Sequence, residues 1–120
     1  HGDLTLSNII SVGERVFYLF DFLHTFLESP LQDIAKISQE FNYGWSIRGA
    51  KKLEKIRANS FLHYGKPDVL KDPYKEYGSG YSMIEILCLL RIGPYINKKD
   101  DVTKEWLLKS LHTLFQKLES

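Results

Sequence analysis

The chain has little cysteine and almost no net charge, and each shortage excludes a class of protein. Its single cysteine, Cys88, cannot form an internal disulfide, and the apolar run around it indicates a small buried side chain rather than a reactive thiol. A formal net charge of +1 provides no field that would attract nucleic acid or an anionic membrane surface. We therefore expect neither partner.

Long apolar runs are also missing. No stretch of the sequence is long enough to span a bilayer, and the first residues lack the basic and apolar regions of a signal peptide. These features predict a cytoplasmic protein. The four histidines are scattered without the spacing of a zinc site. The chain starts at His1 and its only methionine is Met83, so we expect a processed or cut piece of a longer protein.

What is present is typical of a folded domain. Hydrophobic residues make up 43% of the chain and charged residues 26%, close to the values of ordinary globular proteins. With 120 residues there is room for one hydrophobic core. We predict a single domain over residues 1–120.

Local patterns predict a β-hairpin and the start of a first helix. Two β-rich runs, 9–12 and 16–20, flank a short segment that contains glycine. Ser29 and Pro30 are typical of a helix start, and Gln32 would complete a capping box with Ser29. Helical spacing of apolar residues continues from there to a predicted stop at Gly44.

The second half of the chain predicts three further helices. Residues 47–64 have a basic helical pattern, and residues 65–80 are predicted to form one long loop. A second capping box, Ser82 to Glu85, would open a core helix that is apolar nearly all round through Ile92. Asp100 or Asp101 would cap the last helix. The fold class is therefore mainly α (α+β), with a small hairpin followed by about four helices.

The first residues carry groups suited to phosphoryl transfer. Such a reaction needs a carboxylate to accept a hydroxyl proton and hard oxygen ligands to hold Mg²⁺ against the phosphates. Asp3 can supply the base, Asn8 a first metal ligand, and Asp21, at the end of the hairpin, a second. Taken singly, each has a simpler interpretation: a turn residue, a loop residue and a surface residue at a strand end.

The combination is more specific than its parts. His1-Gly2-Asp3 with Asn8 five residues later, Phe20-Asp21-Phe22 after a hairpin, and Ser29-Pro30-Leu31-Gln32-Asp33-Ile34-Ala35 resemble the aminoglycoside phosphotransferase and choline kinase family. The resemblance implies the C-terminal lobe of a protein-kinase-like fold. It also implies that Asp3 is the catalytic base, that Asn8 and Asp21 bind Mg²⁺, and that His1 and Asp33 support the loop. A run at 90–95 resembles a branch of that family linked to bacterial surface polysaccharide synthesis.

The family's nucleotide-binding lobe has no counterpart in this chain. That lobe covers the phosphates of ATP or GTP, and the only dense glycine site here, at 78–80, has no preceding strand. We therefore expect the isolated chain to be inactive. We also expect apolar surface exposed by the missing lobe to favour self-association.

The phosphate acceptor is less well defined. Relatives often carry an acidic residue shortly after the metal-binding Asp, where this chain has His24, a candidate substrate contact and equally a packing or solvated residue. Basic residues outnumber acidic ones between 46 and 80, which favours a sugar or sugar phosphate over a choline-like or aminoglycoside acceptor unless the bias reflects only a solvated helix face. The alternative function is a non-catalytic kinase-like binding or scaffold module.

Overall fold

The computed structural model describes residues 1–24 and 28–120. It is mainly helical, with one antiparallel hairpin followed by four helices, so this part of the predicted fold class is confirmed. Residues 25–27, which connect the hairpin to the first helix, lie outside the described residues.

The hairpin forms where the two β-rich runs predict it. Strand β1 spans Ile9–Val12 and strand β2 spans Val16–Leu19, with Ile9 opposite Leu19 and Val12 opposite Val16. A 3₁₀ turn, Leu6–Asn8, leads into β1. The hairpin therefore begins directly at the end of the segment that carries the candidate catalytic residues.

Helix α1, Pro30–Phe41, begins as predicted but without the capping box. The Ser29 hydroxyl accepts a hydrogen bond from the Leu31 amide, and Pro30 occupies the first helical position. The capping role predicted for Gln32 is wrong, because its side-chain amide donates instead to the Gly2 carbonyl at 2.9 Å. The helix ends at Phe41, three residues before the predicted stop at Gly44.

Helix α2, Lys52–Tyr64, is shorter than the predicted helix. A 3₁₀ turn at Trp45–Ile47 precedes it, and the Glu54 carboxylate accepts a hydrogen bond from the Lys51 amide at the helix start. Leu62 is the buried residue of this helix, whereas Leu53 and Ile56 stay more than half exposed. The helix is thus attached to the rest of the chain by a narrow contact.

Helix α3, Pro73–Leu90, takes up the second half of the predicted long loop, whereas residues 65–72 form no α-helix and contain a 3₁₀ turn, Asp68–Leu70. Asp72 caps it by accepting a hydrogen bond from the Lys75 amide, and Pro73 is its first residue. At Gly78 the backbone takes the non-helical values φ 65° and ψ −156°, so two helical stretches meet there at a kink. The loop prediction is wrong for residues 73–80 because the irregular backbone within them is confined to this left-handed glycine.

The predicted capping box inside α3 is also wrong. Ser82 and Glu85 are buried in the helix, and the Glu85 carboxylate accepts hydrogen bonds from the hydroxyls of Ser38 and Tyr74. The helix is less uniformly buried than its composition predicts, because Met83 is 59% exposed.

Helix α4, Asp101–Glu119, starts at the predicted cap. The Asp100 carboxylate accepts a hydrogen bond from the Thr103 amide at 3.0 Å. Trp106, Leu107 and Leu114 are buried along one side of the helix. The prediction for this element is confirmed.

Two apolar clusters form the core. One joins α1 to α3 around Ala35 and Tyr81, and the other joins α3 to α4 around Leu89 and Trp106. Tyr74 packs against both clusters. Cys88, as predicted, is a buried side chain, and burial raises the pKa of its thiol to about 11. Among the described residues, no helix is long and apolar enough to cross a membrane.

Candidate active site

The segment before the hairpin lies against helix α1. Gly2, Thr5 and Asn8 are buried, whereas Asp3 is half-buried. The Asp3 carbonyl accepts a hydrogen bond from the Thr5 amide at 2.9 Å, which gives the segment a tight turn at the candidate base. We call residues 1–8 the catalytic-loop segment.

Asp33 on α1 anchors the start of this segment. Its carboxylate accepts hydrogen bonds from the backbone nitrogens of His1 and Gly2, each at 3.0 Å. Gly2 has φ 86°, a left-handed value that a residue with a Cβ rarely adopts. Together with the bond from Gln32 to the Gly2 carbonyl, these contacts fix the backbone just before Asp3.

His1 is held by both ring nitrogens. Nδ1 accepts a hydrogen bond from the Asp3 amide at 3.3 Å, so Nε2 carries the proton and donates to the Phe20 carbonyl at 2.8 Å. The ring also packs against Phe22, with 4.4 Å between ring centroids. With both nitrogens engaged, the imidazole links the loop to the end of the hairpin and has no free nitrogen for nucleophilic chemistry.

The Asp3 carboxylate is contacted by two side chains. Asn8 donates from Nδ2 to the Asp3 carbonyl at 2.8 Å and to carboxylate Oδ2 at 3.3 Å. Lys36 of α1 approaches Oδ1 at 2.8 Å. The sequence-predicted residues Asp3 and Asn8 are therefore in direct contact, and a lysine that the sequence analysis missed completes the cluster.

Glu40 is a second residue that the sequence analysis missed. It is 1% exposed, and its carboxylate accepts hydrogen bonds from the Leu6 amide and from the amide and hydroxyl of Ser46. A signal was available: Asp33, Lys36 and Glu40 are spaced three and four residues apart. That spacing places three charged side chains on one face of α1, which is unusual for a face that packs inward.

Asp21 directly follows the end of the hairpin, and its side chain forms no hydrogen bond or ion pair with the catalytic-loop segment. The Phe20 amide donates to the Asn8 carbonyl at 3.2 Å, so Asp21 follows the residue paired with Asn8. Asp21 has φ 58° and is the residue other than glycine for which a positive φ is found in the described part of the chain. Its exposed carboxylate has no ion pair or hydrogen bond to another described residue.

The remaining sequence candidate is not part of this cluster. His24 is exposed and forms no hydrogen bond or ion pair with any described residue. It precedes residues 25–27, which lie outside the described residues. The structure therefore gives His24 no assigned contact.

The side-chain oxygens of Asn8 and Asp21 are the candidate metal ligands. Over residues 1–24 and 28–120, no group of three or more His, Cys, Asp or Glu side chains converges as a complete cage. Asn8 directs its amide nitrogen at Asp3, which leaves its Oδ1 without a hydrogen-bond donor among the described residues. An amide oxygen and a carboxylate are hard donors, and Mg²⁺ characteristically takes few protein ligands and completes its shell with water and substrate phosphates.

Searches of protein-family models, of curated proteins and of solved structures found no match for this chain. The chemistry of the site is therefore inferred from its residues and geometry.

Proposed function

We propose that this chain is the C-terminal lobe of a Mg²⁺-dependent phosphotransferase with a protein-kinase-like fold, of the aminoglycoside phosphotransferase and choline kinase type. The reaction moves the γ-phosphate of ATP or GTP to a hydroxyl of a small molecule. The observation that carries the proposal is the Asp3 carboxylate, held by Asn8 and Lys36 on a segment anchored by Asp33.

Asp3 acts as the general base. The acceptor oxygen attacks the γ-phosphorus, the bond from phosphorus to the β-bridging oxygen breaks, and Asp3 accepts the hydroxyl proton. Such a base has to be oriented, since a misplaced carboxylate loses much of its effect. Asn8 and Lys36 provide that orientation by contacting different oxygens of the carboxylate.

Asn8 and Asp21 are the residues that would hold the metal. Mg²⁺ bound there supplies positive charge that neutralises the phosphate oxygens. The unpartnered Oδ1 of Asn8 and the unpaired carboxylate of Asp21 fit this role. The left-handed backbone at Asp21 supports it further, because strained conformations cluster at functional sites.

The nucleotide is covered by a lobe that these 120 residues do not supply. The only dense glycine stretch, 78–80, lies within helix α3, so it is not available as a phosphate-binding loop. In the described part of the chain, the hairpin and the residues that follow it present a large exposed apolar surface. Its exposed residues are Ile10, Val12, Val16, Phe17, Tyr18, Leu19, Phe20, Phe22 and Leu23. We assign this surface to the contact with the nucleotide-binding lobe, and the isolated chain is therefore expected to be inactive.

A sugar or sugar phosphate is the favoured acceptor, ahead of choline-like or aminoglycoside molecules. Of the basic residues between 46 and 80, the structure pairs only Lys71 with a carboxylate within the described residues. The uncompensated positive charge favours a neutral or anionic substrate. Dependence on a nucleoside triphosphate makes the cytoplasm the proposed compartment.

The test is nucleotide consumption by the full-length protein that contains this chain. The assay compares sugars, sugar phosphates, choline and aminoglycosides, each with and without Mg²⁺. We expect one acceptor class to stimulate Mg²⁺-dependent turnover. If no acceptor does so and Mg²⁺-nucleotide does not bind, the phosphotransferase proposal is wrong.

A non-catalytic binding or scaffold module is the second candidate. One observation favours it: Lys36 already occupies one oxygen of the Asp3 carboxylate. A base neutralised in this way could be a structural ion pair. Mg²⁺-dependent nucleotide binding without turnover for any acceptor would identify this alternative.

A further inference from the structure

A second concave site lies away from the catalytic-loop segment. It is a cleft of about 500 Å³ between the end of α1, residues 47–50, one side of α2 and one side of α4. None of residues 1–8 lines it. Its nearest α1 residue, Phe41, is five positions beyond Lys36, roughly 8 Å along the helix axis. The volume lies within the range of pockets that hold small ligands.

The cleft has an excess of positive charge. Arg48, Lys55 and Lys109 line it against one acidic residue, Glu105. Among the described residues, none of these four forms an ion pair within 4.0 Å. The Asp100 carboxylate is near enough to Arg48 for the Arg48 charge to help lower its pKa, but it does not line the cleft. Three cations against one lining carboxylate leave an excess of positive charge that favours a bound anion.

The orientation of the Arg48 side chain is fixed by neighbouring groups. Its Nε donates to the Thr103 hydroxyl at 2.9 Å, one Nη1 hydrogen goes to the Trp45 carbonyl at 3.0 Å, and the guanidinium lies 3.8 Å from the Trp45 ring centroid. A guanidinium has five N–H donors, so these contacts fix its orientation and leave others for a ligand. A fixed cation loses less conformational entropy on binding than a free one.

Positive charge continues beyond the cleft. Tyr43 lines the cleft, and Lys117 sits over its ring at 5.4 Å from the centroid. Lys66 is near Lys117: burial and then the Lys117 charge lower the pKa of Lys66. Two further cations thus lie at this end of α4.

The walls also offer groups that suit hydroxyls. Asn42, Asn59, Ser110 and Thr113 line the cleft beside Trp106. The Ser110 and Thr113 hydroxyls donate to backbone carbonyls in α4, so their oxygens are left to accept hydrogen bonds. The cleft therefore offers hydroxyl oxygens that can accept hydrogen bonds, cationic groups that can donate to an anion, and an aromatic side chain. These groups together suit a small anionic molecule that carries hydroxyls.

From these contacts we propose that the cleft binds a small anionic molecule that carries several hydroxyls, with the size and chemistry of a sugar phosphate. The anion contacts Arg48, Lys55 and Lys109, and the hydroxyls face α4. This site is separate from the one at Asp3 and does not depend on phosphoryl transfer there.

Tryptophan fluorescence of the 120-residue chain tests the proposal. The chain has two tryptophans: Trp106 lines the cleft, and Trp45 packs against it at 4.8 Å between ring centroids. The probe is glucose 6-phosphate, with glucose, inorganic phosphate and sodium chloride of equal ionic strength as comparisons. We expect a saturable change with glucose 6-phosphate, a weaker affinity for phosphate, and none for glucose or salt.

Variants locate the binding site. Lys55→Gln and Lys109→Gln should each weaken binding about tenfold, because each removes a charge-assisted hydrogen bond. Lys52→Gln, on an exposed lysine of α2 outside the cleft, is the matched control and should bind as the parent chain does. Circular dichroism checks that each variant is folded. Because Lys55 and Lys109 lie on different helices, the two substitutions test the location of the site independently.

Four results with the parent chain and the Lys52→Gln control would overturn the proposal. They are no saturable change at millimolar glucose 6-phosphate, an equal response to glucose, an affinity for inorganic phosphate as high as for the sugar phosphate, and an equal loss in Lys52→Gln. Asp3→Asn should leave the affinity unchanged. A loss there would place the probe at the catalytic-loop segment instead and would also contradict the separate site.

Discussion

At the scale of single residues, Asp33 connects the helix to the chemistry. Its two carboxylate oxygens accept from the backbone nitrogens of His1 and Gly2, and Asp3 follows directly. A hydrogen-bonded carboxylate in this position transmits the rigidity of α1 to the candidate base. Two residues further along the same face also contact the segment. Lys36 forms an ion pair with the Asp3 carboxylate, and the Glu40 carboxylate accepts a hydrogen bond from the Leu6 amide.

Replacing Asp33 with asparagine should release the loop. The asparagine amide keeps one acceptor and turns an N–H₂ group towards a backbone donor, which leaves that donor unsatisfied. We expect a loss of about 1–3 kcal/mol in unfolding free energy, measured by urea denaturation. The control is Asp68→Asn, whose fully exposed pair with Lys71 is screened by solvent and should contribute little to stability. Equal effects of the two substitutions would contradict the anchoring role.

The sequence shows some residues of the site and hides others for a physical reason. Asp3 and Asn8 are five positions apart on one turn, so their proximity follows from local geometry. Lys36 reaches Asp3 across thirty-three positions, and that contact depends on how α1 packs. Only the charged spacing on α1 hinted at it.

At the scale of elements, local caps account for what could be predicted. Ser29 and Asp100 each satisfy a backbone amide within three residues, so both helix starts were predictable from short patterns. The long loop was a wrong prediction because glycines at 78 and 80 resemble helix breakers. Gly78 does interrupt the regular helical backbone, but helical structure resumes directly after it, where Tyr81 and Ile84 pack in the core.

The two glycines of α3 give a matched pair of substitutions. Gly78 has φ 65° with ψ −156°, a region that side chains with a Cβ avoid, so Gly78→Ala should destabilise the chain by about 1–3 kcal/mol. Gly80 lies in the helix, and no neighbouring atom lies within 4 Å of the position that a Cβ would take, so Gly80→Ala should be neutral or stabilise by up to about 1 kcal/mol. Thermal or urea unfolding measures both. Similar effects at the two positions would show that the kink is not where the structure has it.

Buried tyrosine hydroxyls near the contact of α1 with α3 should make the free energy of unfolding fall at alkaline pH. Burial, reinforced by the Glu85 carboxylate, raises the pKa of Tyr43, Tyr74 and Tyr81 above the usual value of 10.0. The folded state therefore keeps protons that the unfolded state releases. Stability should be fully present below about pH 9, where the Cys88 thiol would begin to ionise in the unfolded chain, and should fall as pH rises further.

Denaturant unfolding at pH 7 and pH 10 measures this dependence. Tyr74→Phe removes a hydroxyl that donates to Glu85, so it should lower stability at pH 7 by about 1–3 kcal/mol and reduce the drop at pH 10. Tyr95→Phe, on a tyrosine that is 87% exposed, is the control and should change neither value. A pH dependence unaltered by Tyr74→Phe would contradict the assignment to this cluster.

At the scale of the whole molecule, the candidate active site and the proposed basic cleft both lie along α1. Its first turns hold the catalytic-loop segment and its end opens onto the basic cleft, while the hairpin presents apolar surface. The exposed apolar hairpin is the surface on which we propose that a second lobe rests. The surface has a direct consequence for the isolated chain.

Self-association of the chain should depend on the hairpin. Phe17 is 63% exposed on β2, and Phe17→Lys should lower the apparent mass measured by sedimentation at high protein concentration. Leu108→Lys changes a residue that is 69% exposed on α4 and should have no effect. If the chain is monomeric at all concentrations, or if both variants act alike, the hairpin is not the associating surface.

We propose that Asp3 acts on the chemical step of phosphoryl transfer. The most direct measurement is the single-turnover rate of transfer from γ-labelled nucleotide in the full-length protein, comparing Asp3→Asn with the surface control Asp68→Asn. We expect Asp3→Asn to retain Mg²⁺-nucleotide affinity and to transfer phosphate about 10²–10⁴ times more slowly, whereas the control should keep the parent rate. Transfer at the parent rate by Asp3→Asn would show that Asp3 is not the general base.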